Sequence, residues 1–197
     1  HRVTPHTMRT RRILLLVAAV HLLPVAAWAS FKPIRVIAPE WLGLTCTQDG
    51  ICIDDVQRLA EARALKAEAV GFVNERVGRI EQVPKAVFCS GPACAKSFGF
   101  THQGAYNVGT AGLVIGPRGW HPHFVRHELI HHLQNERLGS LHNWFFKPHW
   151  FLEGMAYSLS EDPRRPLPQP LEGWRREFEA WWPGVAEGGV WAAAAAL

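Results

Sequence analysis

The sequence predicts an α+β domain: a small mixed sheet with a long helix, a helix that carries paired histidines, and a following helix that carries a glutamate. Three observations predict it. The apolar runs "KAVFCS" and "AGLVIGPRG" are too short for helices and are bounded by Pro and Gly, so they read as strands. Val56, Leu59, Leu65, Val70, Val73, Val77 and Ile80 recur at close to 3.6 residues and mark a long helix. After Pro122, "VRHELIHHLQNERLG" and "HWFLEGMAYSLSED" read as two more helices, joined by the ten-residue linker "SLHNWFFKPH".

The chain opens on a segment that belongs to no core. "MRTRR" from Met8 is a cationic start, residues 13–29 are apolar but interrupted by His21 and Pro24, and "AWA" has the small-x-small form of a cleavage site. Residues 1–29 are therefore expected to be a signal peptide with a start-site extension before Met8, the alternative being an inner-membrane anchor over residues 13–29. Residues 30–197 are expected to form a single domain. The basic character of the chain is concentrated in the front: Arg2, Arg9, Arg11 and Arg12 are the only charges there, and from Ser30 onward 17 basic residues face 17 acidic ones. A balanced domain gives no footprint for nucleic acid, so that partner class is excluded, and a membrane enters only through an uncleaved front segment.

Next in order, "PIRVIA" is expected to be the first strand, and Asp54 or Asp55 to cap the long helix, which runs to about Ile80 before Pro84. The stretch from Gly91 to Asn107 reads as loop with one short helix, and "AGLVIG" as a strand that is either a sheet edge in the right order to receive a substrate or an ordinary core strand. Gly139 stops the first histidine helix, "DPRRPLPQP" cannot continue the second, and "LEGWRREFEAWW" is a last amphipathic segment before an alanine-rich tail. The four cysteines form two close couples, Cys46 with Cys52 and Cys89 with Cys94. Local disulfides are the simplest pairing, and such short loops contribute roughly 2 kcal/mol each by loop entropy. They fit an exported chain, periplasmic or secreted.

Chemistry concentrates in "HELIHH". Four residues apart on a helix, His127 and His131 share one face with Cβ atoms about 5–6 Å apart, a spacing at which two imidazoles converge on one ion. Glu128 projects about 100° round the helix, out of ligating position but within reach of a water. His132 is off the metal face. Glu153 follows His131 by 22 residues and can return on an antiparallel helix as a third ligand, which leaves a fourth zinc position open. His121, His123, His142 and His149 are expected on loops or helix ends near the cleft, with Arg118, Trp120, Trp144 and Phe145.

At these residues the sequence resembles the gluzincin metallopeptidases, in which HExxH is followed by a helix of the form WxxEGxA, here "WFLEGMA". It is similar in particular to small exported bacterial proteins of that type, through "FCSGPACAKSFG", "GLVIGPRGW", "HELIHH" and "NERLG", over roughly residues 87–164. The metzincin pattern is excluded, because the residues after His131 do not supply its third histidine. The resemblance implies a zincin-like fold with a thermolysin-like catalytic core, Zn2+ held by His127, His131 and Glu153, and Glu128 as the catalytic base.

The expected function is a zinc-dependent peptidase acting on a peptide or protein substrate. The alternatives are an inactive zinc-binding relative that serves as an assembly module, and a hydrolase of envelope amides. An oxyanion donor is also required, and Tyr157, Tyr106 and His102 remain open for it. An extended substrate is expected to add to the edge strand. Only about 35 residues follow Asp162, so the cleft is expected to be shallow, or to be completed by a protein partner.

Overall fold

The computed structural model describes residues 5–185 and 189–197. The chain divides into two compact units, His1–Arg35 and Val36–Leu197. The first is built on α1 (Pro5–Ser30), with Pro24 inside it. Its stretch Arg11–Ser30 is long and apolar enough to cross a membrane by length and composition. Ile13, Leu14, Leu16, Val17, Val20, Leu22 and Leu23 are each at least half exposed. Arg35 closes its end by donating to the carbonyls of Trp28 at 3.1 Å and Ala29 at 2.6 Å, where a cation meets the negative end of the helix.

The second unit is α+β. A 3-10 turn over Pro39–Leu42 leads to β1 (Thr45–Cys46) and β2 (Ile51–Ile53). Then come α2 (Leu59–Arg76), β3 (Ala86–Phe88), α3 (Pro92–Ser97), β4 (Ala105–Val108) and β5 (Gly112–Ile115). The rest is helical: α4 (Pro122–Leu138), α5 (Ser140–Phe146), α6 (His149–Leu159), α7 (Leu171–Trp181) and α8 (Val190–Ala195). The sheet order is β1-β2-β3-β5-β4, with β2, β3 and β5 parallel and both outer strands antiparallel to their neighbours.

Register explains why the middle strands are apolar throughout. Ile51, Ala86 and Leu113 lie side by side, as do Ile53, Phe88 and Ile115, and all six belong to the core under the helices. The residues between them, Cys52, Val87 and Val114, face a second core with Leu44, Cys89, Cys94 and Phe98. A strand covered on both faces loses the alternation that marks a half-exposed one. Both expected disulfides form: Cys46–Cys52 crosses directly opposite partners of β1 and β2, and Cys89–Cys94 ties the end of β3 to α3.

Several local expectations are corrected. All of "PIRVIA" but its final Ala38 lies in a 3-10 helix, Lys32–Ile37, and not in a strand; Pro33 fixes a helical φ there, and the turn buries Val36 while Ile37 stays exposed. Asp55 caps a 3-10 turn by accepting from the Gln57 amide at 3.0 Å. Asp54 instead accepts from the amides of Ser90 and Gly91, at 2.7 and 3.2 Å, and fixes the chain after β3. The long helix ends at Arg76, because the Asn74 side chain accepts from the Ile80 amide at 2.8 Å and turns the chain back. Its most buried line is Ala62, Lys66, Ala69 and Val73, and the Lys66 ammonium donates to the Asp49 and Gly50 carbonyls. "AGLVIG" is internal, and the edge strand is the preceding Ala105–Val108. The expected linker contains α5, and the alanine tail forms α8, whose last carbonyls, Ala194 and Ala195, accept from Lys147.

Helices α6 and α7 approach most closely at Gly154. A Cβ there would stand 2.3 Å from the Trp174 carbonyl oxygen and 2.8 Å from Phe178 Cβ. The contact is walled by Trp150, Phe151, Phe178 and Trp181, and the fully buried Arg175 donates to the Arg164 carbonyl at 2.9 Å and pairs with Glu172. Gly154→Ala is expected to force the helices apart at a cost of about 1–3 kcal/mol, which lowers the melting temperature by roughly 2–4 °C per kcal/mol. An unchanged melting curve by circular dichroism would contradict the close approach.

Candidate metal centre

Helix α4 begins with Pro122 at its first turn, where the missing N–H costs nothing, and ends at Gly139, whose φ of 85° favours glycine. Val125, Leu129 and Leu133 fix one side of it in the main core. Two polar anchors fix its rotation. Arg126 pairs with Glu68 of α2 and with Glu161, and its guanidinium lies 3.9 Å from the Phe72 ring centroid. His132 is buried, and its Nε2 donates to the Gln82 carbonyl at 2.9 Å and contacts Glu136. Glu136 in turn accepts from the amides of Glu81 and Gln82. His132 is thus an anchor for the chain before β3.

With α4 held in this way, His127 and His131 turn toward α6. Phe151 and Met155 seat α6 in the core, and Glu153 projects from it at α4. The Nε2 atoms of His127 and His131 are 3.1 Å apart, and Glu153 carboxylate oxygens lie 3.6 and 3.5 Å from them. Ligand atoms each about 2.0–2.1 Å from a tetrahedral ion stand about 3.3–3.4 Å apart, close to these separations, in which each imidazole faces a different oxygen of the Glu153 carboxylate. These residues form a group that can hold a metal ion. The other close group of donors, Glu40 with Cys46 and Cys52, does not qualify, because its two sulfurs are bonded to each other.

Gln134 is the residue the sequence reading missed. Its side-chain oxygen accepts from His131 Nδ1 at 2.9 Å, and its amide nitrogen donates to the Leu152 carbonyl at 3.0 Å. One side chain thereby fixes the His131 ring through Nδ1, leaving Nε2 as the nitrogen turned to Glu153, and ties α4 to the residue before that glutamate. The signal was present as a polar residue one turn after His131 on the metal face. It resembles any amphipathic surface position until the partner helix is known.

Charge is finely balanced here. Burial would lower the affinity of His131 for a proton, but the Glu153 carboxylate outweighs it and holds the imidazolium up to about 9. Burial would raise Glu153, and His131 and His127 more than reverse that, so Glu153 is held well below the ordinary carboxylate range. Glu128 is buried and not among the converging donors; burial pushes its carboxyl upward, assisted by Glu153 and opposed by the two histidines.

Of the three expected oxyanion donors, Tyr157 is at the group, its ring 4.4 Å edge-on from that of His127. Burial, and then the Glu153 charge, push its phenol up to about 12, so it remains a donor. Tyr106 lies on β4 and donates to the Phe98 carbonyl at 2.7 Å, while His102 is exposed, its carbonyl accepting from Arg118 at 3.2 Å. Trp120 belongs to the core and donates to the Cys89 carbonyl at 2.9 Å. Trp144 and Phe145 stand exposed on α5, on the helix after the one that carries His131. His142 lies tilted against Phe146, and His149 stacks on Trp174.

Replacing His131 with Ala is expected to remove most bound metal. Gln134→Leu should weaken metal affinity by about 10- to 100-fold without unfolding the chain, as supporting partners of ligands typically do. Metal analysis of the purified variants after dialysis against graded chelator checks both. Equal metal content in His131→Ala and the wild type would remove this histidine from the site.

Comparison of the chain with protein-family models, with curated proteins and with solved structures finds no match, so the functional reading rests on the geometry around His127, His131 and Glu153.

Proposed function

We infer that residues 36–197 form a zincin-like domain of the gluzincin type, a zinc-dependent hydrolase that cleaves peptide bonds. The observation that carries the reading is the His127–His131–Glu153 triangle, with a buried non-ligating carboxylate, Glu128, beside it on the same helix. Two nitrogens and one carboxylate oxygen suit zinc and leave a coordination position for reaction. A zinc ion held there supplies Lewis acidity toward a substrate carbonyl and a more acidic water.

The chain's own residues supply the rest. Glu128 takes a proton from the attacking water on a carboxylate oxygen whose burial has raised its proton affinity, and hands it to the leaving nitrogen. Tyr157 keeps its proton and donates to the carbonyl oxygen as negative charge develops there. Glu153 stays ionised. An extended substrate adds along the outer side of β4, the last strand of the sheet. This strand is tied to α4 by the hydrogen bond from Asn135 to Asn107 at 3.0 Å, which sets the edge relative to the metal group. The two disulfides and the apolar α1 support an exported protein, with α1 as a cleaved signal or an anchor.

Glu128→Gln is expected to retain zinc and fold while losing about 10²- to 10⁴-fold in kcat on a peptide that the wild type cleaves. Tyr157→Phe should lose about 10²- to 10³-fold in kcat with KM little changed. The assay is cleavage of a diverse peptide mixture by the zinc-loaded protein, read by mass spectrometry. Full zinc content without any cleavage would replace the hydrolase reading by a zinc-binding assembly module, and cleavage confined to envelope amides would replace peptides as the substrate.

A further inference from the structure

One helical turn before His127, a cavity of about 410 Å³ is lined by Arg118, His121, His123, Phe124 and Arg164. No carboxylate lines it. The Arg118 guanidinium donates to the His102 carbonyl at 3.2 Å and makes no ion pair among the described residues. Arg164 is held differently. Its Nε and Nη2 donate to the buried carboxylate of Asp162, which leaves Nη1 outside that pairing. Its guanidinium carbon lies 4.8 Å from the Phe124 ring centroid and 5.9 Å from that of Tyr157. Asp162 is nearly inaccessible while Arg164 is 47% exposed, so the acid fixes the arginine from behind and the cation faces outward.

The cavity adjoins the metal group. His123 precedes His127 by four residues, about 6 Å along one face of α4. Tyr157 spans the same gap, with its ring against His127 on one side and against Arg164 on the other. A substrate whose scissile carbonyl lies at the metal group therefore reaches the cavity with a group one or two residues away, at about 3.3–3.6 Å per residue. Two guanidinium groups, one of them already oriented, match the planar fork of a carboxylate. The positive end of α4 opens at the same place and adds to the attraction.

We propose that the Arg118–Arg164 cavity is a subsite for a carboxylate of the substrate, one or two residues from the bond that is cleaved. The carboxylate comes from the chain terminus or from an Asp or Glu side chain. The assignment of the cavity as part of a substrate site rests on the hydrolase reading; its affinity for a carboxylate does not.

The experiment separates the two. Matched short peptides, one set with a free C-terminus against its amide and another with Glu against Gln at an internal position, are titrated calorimetrically into the full chain after zinc has been removed by chelation. The carboxylate member of at least one pair is expected to bind about tenfold more tightly or better, as charge-assisted hydrogen bonds from two arginines allow. Which pair shows the preference identifies the source of the carboxylate. Arg118→Glu, at an exposed position where the fold does not depend on it, should abolish or invert the preference, whereas Arg118→Lys should keep part of it. Equal affinity within both pairs, no measurable binding of any peptide, or an unchanged preference in Arg118→Glu overturns the subsite. Zinc-loaded protein that cleaves both members of each pair equally keeps the hydrolase and loses the subsite. Carboxylate-selective binding without cleavage keeps the carboxylate-binding cavity and loses the hydrolase, and with it the cavity's place in a substrate site.

Discussion

The candidate centre depends on one contact, the Glu153 carboxylate carried to within 3.6 Å of two imidazole nitrogens that themselves stand 3.1 Å apart. A buried carboxylate is tolerated only where cationic or hydrogen-bonding partners compensate its lost hydration. Two imidazole lone pairs pointed at each other likewise require a cation between them or a proton on one of them. The three groups therefore solve one another's problem only in combination with positive charge. Much of the surrounding structure serves to hold them there: Gly154 admits α7 behind α6, Gln134 sets His131 and grips the α6 backbone, and Arg126 and His132 fix the rotation of α4.

The parts of this arrangement that were legible in the sequence are those with local spacing. Positions four apart on a helix define His127 and His131 without any tertiary information, and short cysteine loops define both disulfides. The extents of α4 and α6 followed from Pro122, Gly139 and the histidine at 149. What was not legible depends on a partner far along the chain. Asp54 reads as a helix cap, yet its acceptor sites are used by amides 36 and 37 residues away. The edge strand "AYNV" is only partly buried and lies in a loop-like composition, so it was passed over in favour of the more apolar "AGLVIG", whose burial on both faces is the mark of an interior strand.

Long-range satisfaction also explains α8 and Lys66. An alanine run has helix propensity but no visible reason to dock; Lys147, almost fifty residues earlier, supplies one by holding the last carbonyls. Lys66 interrupts an otherwise apolar line on α2 and reads as a surface position. It is buried because two backbone carbonyls of the β1–β2 turn accept from its ammonium. In both cases the polar group is inside because a carbonyl would otherwise be unsatisfied, a condition that hydrophobic periodicity does not register.

The two acids of the centre show how environment divides like residues. Burial raises the proton affinity of Glu128, and the nearby Glu153 charge adds to it. Burial would raise Glu153, but both imidazoles contact it and drive it low; for Glu128 burial outweighs the opposing charge of the two histidines and drives it high. One carboxylate therefore stays an anion over the ordinary pH range, and the other accepts a proton more readily than an exposed glutamate. Environment thus separates two like side chains on neighbouring helices, which is the pattern that pairs of carboxylates with different roles show. Tyr157 extends the division, since the same Glu153 charge that makes deprotonation of the phenol unfavourable preserves it as a hydrogen-bond donor. Its ring also forms the wall between His127 and Arg164, so the side chain that bounds the metal group on one side bounds the cationic cavity on the other.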